Sequence, residues 1–472
     1  MRYSAVLKVV ALVVPIALAA GDVCQGSVVG QGRIVLLLDF EYQCRRSRDW
    51  LRRHPRTSRA LVSLGAIGSG RPIRGSLQLG VQFHQQYTLA QAQRRAMAAL
   101  RKMGVKTTAS GVMYADQESG GGFSWMQPPD VPDWVRRLLG DAFFREIVHV
   151  AISSDRVTDR RLAQLSGLSG LRHLYLKSPR ATDESLKHIA GFSRLETLSL
   201  DDSTITDKGL IHLRGLRNLR RLYLQTSVED GWPFKSVPAR GRLTDAGLEH
   251  LLHLRKLEWL DLNQTGVTDA GLARLAQLTQ LTRLSMYNTR VTNDGLAALK
   301  PCTRLKYLDL SHTQIDDAGL AHLAAFPELE QLILISCSVT DEGLEHVARL
   351  SKLKSLSLNE TRITDAGLSH LKKLTSLAEL RLAGTSTTDR GLDAIRELSK
   401  LHMLDLSRTQ ISDAGLVNLK PMEWLSWLDL GNTKVTDAGL EHLKGLKHLH
   451  MFHANGSGIT TRGRMAFQDR MR

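Results

Sequence analysis

Seven histidines fall on one line of the sequence. His188, His212, His250, His322, His346, His370 and His442 each stand five residues after an aspartate. Imidazoles at fixed spacing are the residue type that binds transition metals or titrates between pH 5 and 8. The row is broken by Arg274, Ala298, Ala394 and Asn418, and no second ligand type recurs beside it. Half-exposed helix residues touching the next copy are therefore the expectation, not a metal ladder. The aspartates recur as Asp159, Asp183, Asp207, Asp245, Asp269, Asp317, Asp341, Asp365, Asp389, Asp413 and Asp437, with Asn293 holding one place in the series. A carboxylate row suggests calcium, but no copy carries EF-hand spacing or a G-G-x-G-x-D pattern. Support of a helix N-terminus is the expected use, with Thr268 as cap and Asp269 at the positive dipole end. Four cysteines, Cys24, Cys44, Cys302 and Cys337, make no C-x-x-C pair, which excludes a zinc ribbon or thioredoxin motif. Cys24 and Cys44 could pair in an oxidising compartment. No P-loop, H-E-x-x-H, G-x-S-x-G or dinucleotide glycine motif occurs. No catalytic set gathers, so the chain is expected to be no enzyme and to need neither cofactor nor metal.

The chemistry left is recognition. Aromatic, arginine and acidic residues alternate with leucines at a period of two: Tyr175, Tyr223, Trp259, Asp261, Arg283, Tyr287, Tyr307, Asp309, Arg381, Trp427 and Asp429. Trp, Tyr and Arg are the usual anchors of protein interfaces. Trp259, Arg283, Tyr287 and Tyr307 are expected to form one patch, with Trp427 and Asp429 near the C-terminal end. The competing use is that these aromatics merely cover neighbouring repeats.

Such residues need a scaffold, and the repeat supplies it. Leu257-x-x-Leu260-x-Leu262 is followed by Thr265-x-Val267-Thr268-Asp269-Ala270-Gly271-Leu272-x-x-Leu275-x-x-Leu278, and the pattern recurs from Ile147 onward. Successive Asp positions are 24 residues apart, except Asp207 to Asp245 at 38, which marks a 14-residue insertion within 225–242. The L-x-x-L-x-L leucines point inward from a short parallel strand, and Leu272, Leu275 and Leu278 come from an outer helix. No copy buries its apolar face alone, so stability comes from stacking. Thirteen strands follow, from Ile147-x-x-Val150-x-Ile152 to Leu449-x-x-Phe452-x-Ala454. At ~4.8 Å between strands the sheet would run roughly 60 Å. Gly271 is expected to allow a close approach in the first helical turn.

From Ile147 to about Arg464 the chain resembles leucine-rich-repeat proteins. The T-x-[IV]-T-D-x-G-L copies are similar to those of bacterial proteins common in planctomycetes, as is the preceding stretch Val131 to Ile152, with Trp134-Val135-Arg136-Arg137-Leu138-Leu139-Gly140-Asp141 and Phe143-Phe144. The resemblance implies an α/β fold, a right-handed leucine-rich-repeat solenoid, with a parallel concave sheet, outer helices and a protein ligand on the concave face. It also implies that position nine of each copy bonds the backbone of its turn. That position holds Thr265, Thr289, Thr313, Cys337, Thr361, Thr385, Thr409 and Thr433, which makes Cys337 a ladder member and not a nucleophile. The arrays of eukaryotic F-box substrate receptors are similar too, but no F-box helix set precedes this one.

The chain has 472 residues and a net charge of +16, and residues 1–150 hold 20 basic against 10 acidic side chains. The body is nearly balanced, so a domain-wide nucleic-acid surface is not expected. Residues 1–20 have a positive start, an apolar core and the exit Ala17-Leu18-Ala19-Ala20, the layout of a signal peptide for export to the envelope or secretion. An uncleaved membrane anchor or cytoplasmic N-terminus is the alternative. Residues 21–87 read as a basic, disordered linker, in which Arg45, Arg46, Arg48, Arg52, Arg53, Arg56 and Arg59 crowd around Asp49. That cluster, Arg45–Arg59, could touch an anionic membrane or nucleic acid. Residues 88–146 read as a helical N-terminal cap, with helices over Thr88 to Met103 and Pro132 to Gly140. An accessory enzyme or attachment role for residues 45–146 is the second reading. Repeats fill 147–464 and a tail 465–472. A monomeric protein-binding scaffold with no small-molecule substrate is the expected function.

Overall fold

The computed structural model describes residues 95–96, 98–99, 106–107, 113–114, 147–153, 158–166, 168–201, 203–225 and 243–471. The apolar segment 1–20, the linker with Arg45–Arg59, Cys24 and Cys44, the expected helix at Pro132 to Gly140 and residues 226–242 of the insertion lie outside them.

Thirteen strands form one parallel sheet in strict sequence order. They are β3 (His149–Ser153), β4 (His173–Lys177), β5 (Thr197–Ser199), β6 (Arg221–Tyr223), β7 (Trp259–Asp261), β8 (Arg283–Ser285), β9 (Tyr307–Asp309), β10 (Gln331–Ile333), β11 (Ser355–Ser357), β12 (Glu379–Arg381), β13 (Met403–Asp405), β14 (Trp427–Asp429) and β15 (Met451–His453). Upstream, β1 (Lys106–Thr107) and β2 (Met113–Tyr114) pair antiparallel, a feature the sequence did not announce. Residues 95–96 and 98–99 are helical, and Ala96 and Ala99 are buried, as the apolar face over Thr88 to Met103 requires.

Alternation fixes which side chains face where. The middle residue of each three-residue strand is buried, as at Leu222, Leu260, Leu284 and Leu308, all at 0% exposure. Leu257, Leu262, Leu272 and Leu275 complete the layer, each burial worth roughly 1.5–3 kcal/mol. Segments between strands run on the opposite side and are shorter than a regular outer helix. Asp269–Leu275 is a seven-residue α-helix, Asp245–Leu248 passes into the 3₁₀ turn Glu249–His253, and Gly415–Leu419 is 3₁₀ throughout. A 24-residue copy has room for two turns at most once strand and corners are subtracted.

From β7 onward one residue per copy turns the chain off the sheet with a left-handed backbone: Gln264, Asn288, His312, Ser336, Glu360, Gly384, Arg408, Asn432 and Gly456, φ between 54° and 75°. The insertion breaks nothing. Arg221 still pairs with Trp259 across it. At the far end, the residues set apart as a tail belong to a helix, Thr461–Met471, whose buried Phe467 packs edge-on against Phe452 at 5.2 Å.

Candidate functional site

The recurrent aspartates are spent on the fold. Asp245 takes the backbone N–H of Thr268 on Oδ1 at 2.8 Å and the Thr268 hydroxyl on Oδ2 at 2.6 Å. The same two bonds recur from Asp159–Thr182 to Asp437–Thr460, across 23 residues in each regular copy. They even span the insertion, where Asp207 holds Thr244. This corrects the expected roles of Thr268 and Asp269. The Asp269 carboxylate reaches forward to Thr292, and the Thr268 hydroxyl makes no cap bond to its own helix. In other copies the hydroxyl does both, as Thr206 accepts the Lys208 N–H at 3.3 Å while donating to Asp183. The glycine that recurs in these copies follows from the same geometry. A Cβ at Gly271 would stand 2.4 Å from Asp245 Oδ1.

The series has one inversion. Asp316 stands where other copies carry Thr or Ser, and its partner is Asn293. The Asn293 amide donates to Asp316 Oδ1 at 2.7 Å, and Asn293 Oδ1 accepts the Asp316 N–H at 3.2 Å. Two carboxylates there would repel.

The other reactive types are equally occupied. Thr265, Thr289, Thr361, Thr385 and Thr433 each donate to the carbonyl three residues back, at 2.6 to 2.8 Å. Cys337 holds the same position but donates across copies, to the Leu310 carbonyl 27 residues back at 3.1 Å. Burial pushes the thiols of Cys302 and Cys337 up to about 11. All seven histidines of the row are half-buried, and His250 Nδ1 meets Arg214 at 2.9 Å. Among the described residues no group of three or more His, Cys, Asp or Glu could hold a metal ion.

The open face of the sheet carries the remaining chemistry, in three columns. Strand register places Arg221, Trp259, Arg283, Tyr307 and Gln331 in the first, and Tyr223, Asp261, Ser285, Asp309 and Ile333 in the second. Asn263, Tyr287 and Ser311 continue the alternation as the third. Arg283 lies over Trp259 at 4.7 Å and over Tyr307 at 5.5 Å. Tyr223 tilts against Trp259 at 5.1 Å. Tyr287 meets the edge of His312, also at 5.1 Å. The four residues expected as one patch thus come from β7 to β9 and the turn after β8, and Tyr223 extends it. The rings cover one another, and each stays half exposed.

The aspartates of this face are locally anchored. Asp261 accepts the Asn263 N–H at 2.9 Å, Asp309 the N–H and hydroxyl of Ser311 at 2.9 and 2.7 Å, and Asp429 the Gly431 N–H at 2.7 Å. Burial, with Asp201 and Asp309 nearby, raises Asp261 to about 6. Burial also raises Asp309, and it pushes the phenols of Tyr223 and Tyr307 up to about 12. The remaining predicted residues lie apart. Tyr175 stacks on His149 near the first strands, Arg381 pairs with Glu379 on β12, and Trp427 tilts against His453 at the C-terminal end.

Two features escaped the sequence reading. Trp424, 62% exposed, stacks on His448 at 4.7 Å, at the corner where other copies carry residues such as Lys256, Arg304 or Lys352. Ser355 and Ser357 make the face of β11 flush with its floor. The first was legible as an aromatic in a polar register. The second carried no signal beyond small size.

The family model described as "Leucine Rich repeat" matches residues 302–324, 349–372 and 397–420. No curated protein matches the chain. Among solved structures, an internalin from Listeria monocytogenes is 25% identical, over 70% of this chain and 85% of its own, with a TM-score of 0.49. A leucine-rich-repeat protein from Leptospira interrogans is 20% identical over 65% and 78%, with a TM-score of 0.43. A second Listeria monocytogenes internalin is 27% identical over 48% and 84%, with a TM-score of 0.35.

Proposed function

We propose that this leucine-rich-repeat protein is a non-enzymatic scaffold that holds a partner protein on the open face of its sheet. The observation that supports this is the run Tyr223–Trp259–Arg283–Tyr307. It is one uninterrupted strip of aromatic and guanidinium surface, and stacking already fixes the rotamers. Side chains ordered before binding lose less entropy on binding, so more contact energy survives as affinity. Nothing else among the described residues gathers groups with catalytic geometry: the carboxylates, hydroxyls and thiols that recur are consumed by the repeat. The reading includes a monomer acting outside the cytoplasm, because the apolar segment before Ala20 has the layout of an export signal. The mature N-terminus in fractionated cells tests that part.

The face itself is tested by affinity capture with the double variant Trp259→Ala, Tyr307→Ala, beside Lys372→Ala on the helical side. The expected result is loss of the captured partner with the double variant and retention with the control. Capture that survives the double change, and disappears on removing fourteen residues between Gln225 and Leu243, would move the site to the insertion.

A further inference from the structure

The strip on β6 to β9 carries two arginines that no carboxylate among the described residues balances. Arg221, Trp259, Arg283 and Tyr307 stand side by side in register, so Arg221 and Arg283 flank the indole from its two neighbouring strands. Arg221 is exposed and Arg283 half-buried. Neither guanidinium makes an ion pair or a side-chain hydrogen bond with a described residue. The acids around them are engaged elsewhere. Glu196 pairs with Arg172, Glu258 with Arg220, and Glu330 with Lys306 and Lys354. Asp261 and Asp309 accept from the turns after their own strands. Arginines farther along the array differ: Arg381 has Glu379, and Arg408 has Glu360.

The way these charges are held restricts what they accept. The Arg283 guanidinium lies 4.7 Å from the centre of the Trp259 ring and 5.5 Å from that of Tyr307, so the rings fix it while its N–H groups stay unspent. A planar fork of N–H donors matches a carboxylate through two parallel bonds. An ammonium or guanidinium on a partner would be repelled by Arg221 and Arg283 alike. A purely apolar segment would strip water from a charge and return no bond to it. Trp259, between the two arginines, offers an apolar face to a residue that separates two acids. Strands lie ~4.8 Å apart, so the two arginine positions are roughly 10 Å apart, the advance of about three residues of extended chain.

We propose that the β6–β9 strip takes an acidic extended segment of the partner protein, with one Asp or Glu on Arg283, a second on Arg221 and an apolar residue over Trp259. This rests on the scaffold reading above and names the chemistry of its partner. The test uses the full-length protein to select from a phage-displayed library of random twelve-residue peptides. The expected result is enrichment of two acids, two or three positions apart, around an apolar residue. Selected peptides should bind Arg283→Gln roughly tenfold or more weakly, and Arg221→Gln about three- to tenfold more weakly, since each change removes a charge-assisted bond. Their affinity for the native protein should fall as salt is raised, while Lys372→Gln on the helical side binds them as the native protein does. Arg221 is exposed, so its variant decides the matter even if Arg283→Gln folds poorly. The acidic segment is overturned by selected peptides that are basic or neutral, that bind both arginine variants as tightly as the native protein, or that a single-stranded oligonucleotide displaces at equal concentration. Loss of those same peptides with Trp259→Ala, Tyr307→Ala would leave the scaffold standing. Peptides that bind that double variant unchanged, or failure of any peptide to bind the native protein, would overturn both.

Discussion

At each step of the ladder a carboxylate is matched to a hydroxyl and a backbone N–H, and at Asn293 the sense of the match is reversed. Asn293→Asp would set a second carboxylate on Asp316, now 2.7 Å from the amide nitrogen. A loss of about 1–3 kcal/mol is expected in urea unfolding, relieved in acid, and recovered in the double variant with Asp316→Thr. Gly271→Ala is expected to be harsher than its single methyl suggests, because the new Cβ meets Asp245 Oδ1. Around 2–3 kcal/mol is in line with overpacking and loss of the two bonds. Gly191→Ala meets nothing within 4 Å and serves as the neutral comparison. Asp261 carries a pH prediction. Its folded pKa, about 6, lies above the ordinary aspartate value of 3.8, so the native state binds the extra proton between those limits. Stability from this group therefore falls as pH rises through that window. Asp261→Asn should melt higher than the native protein at pH 7.5, and the difference should vanish toward pH 4.

The strand and its corners are the elements on which the rest depends, and the insertion shows how little of each copy they need. Sheet pairing, Arg221 to Trp259, and the ladder, Asp207 to Thr244, both close across it. Removing fourteen residues between Gln225 and Leu243 should leave the circular dichroism and melting temperature unchanged to within a few degrees. These elements were legible because leucine spacing sets a strand and a buried face at once. The patch around Arg283 was legible for the same reason, since alternation assigns Trp259, Arg283 and Tyr307 to one side. The Asp–Thr bonds were not, because they join residues of adjacent copies and look, along the chain, like a cap followed by a dipole partner. The single-turn 3₁₀ segments were also hidden, because Leu248 and Leu251 have the spacing of a longer helix.

For the array as a whole, stability is passed between neighbours, so damage should stay local. Phe467 covers Phe452 at the last strand. Phe467→Ala is expected to strip hydrogen-exchange protection from Met451–His453 and weaken it in β14, while Tyr307–Asp309 keeps its full protection. Equal losses along the array would show all-or-none unfolding instead. The reversed pair at Asn293 and Asp316 has a consequence at this scale too. Those residues open and close a single 24-residue block, and in the other regular copies each Asp with its Thr or Ser bounds a block in the same way. Cut at these borders, a cassette takes both halves of its own clasp with it. A splice one residue out of phase, excising 270–293, would seat Asp269 against Asp316. Recombination between copies is thus tolerated in one phase and penalised in the phase beside it.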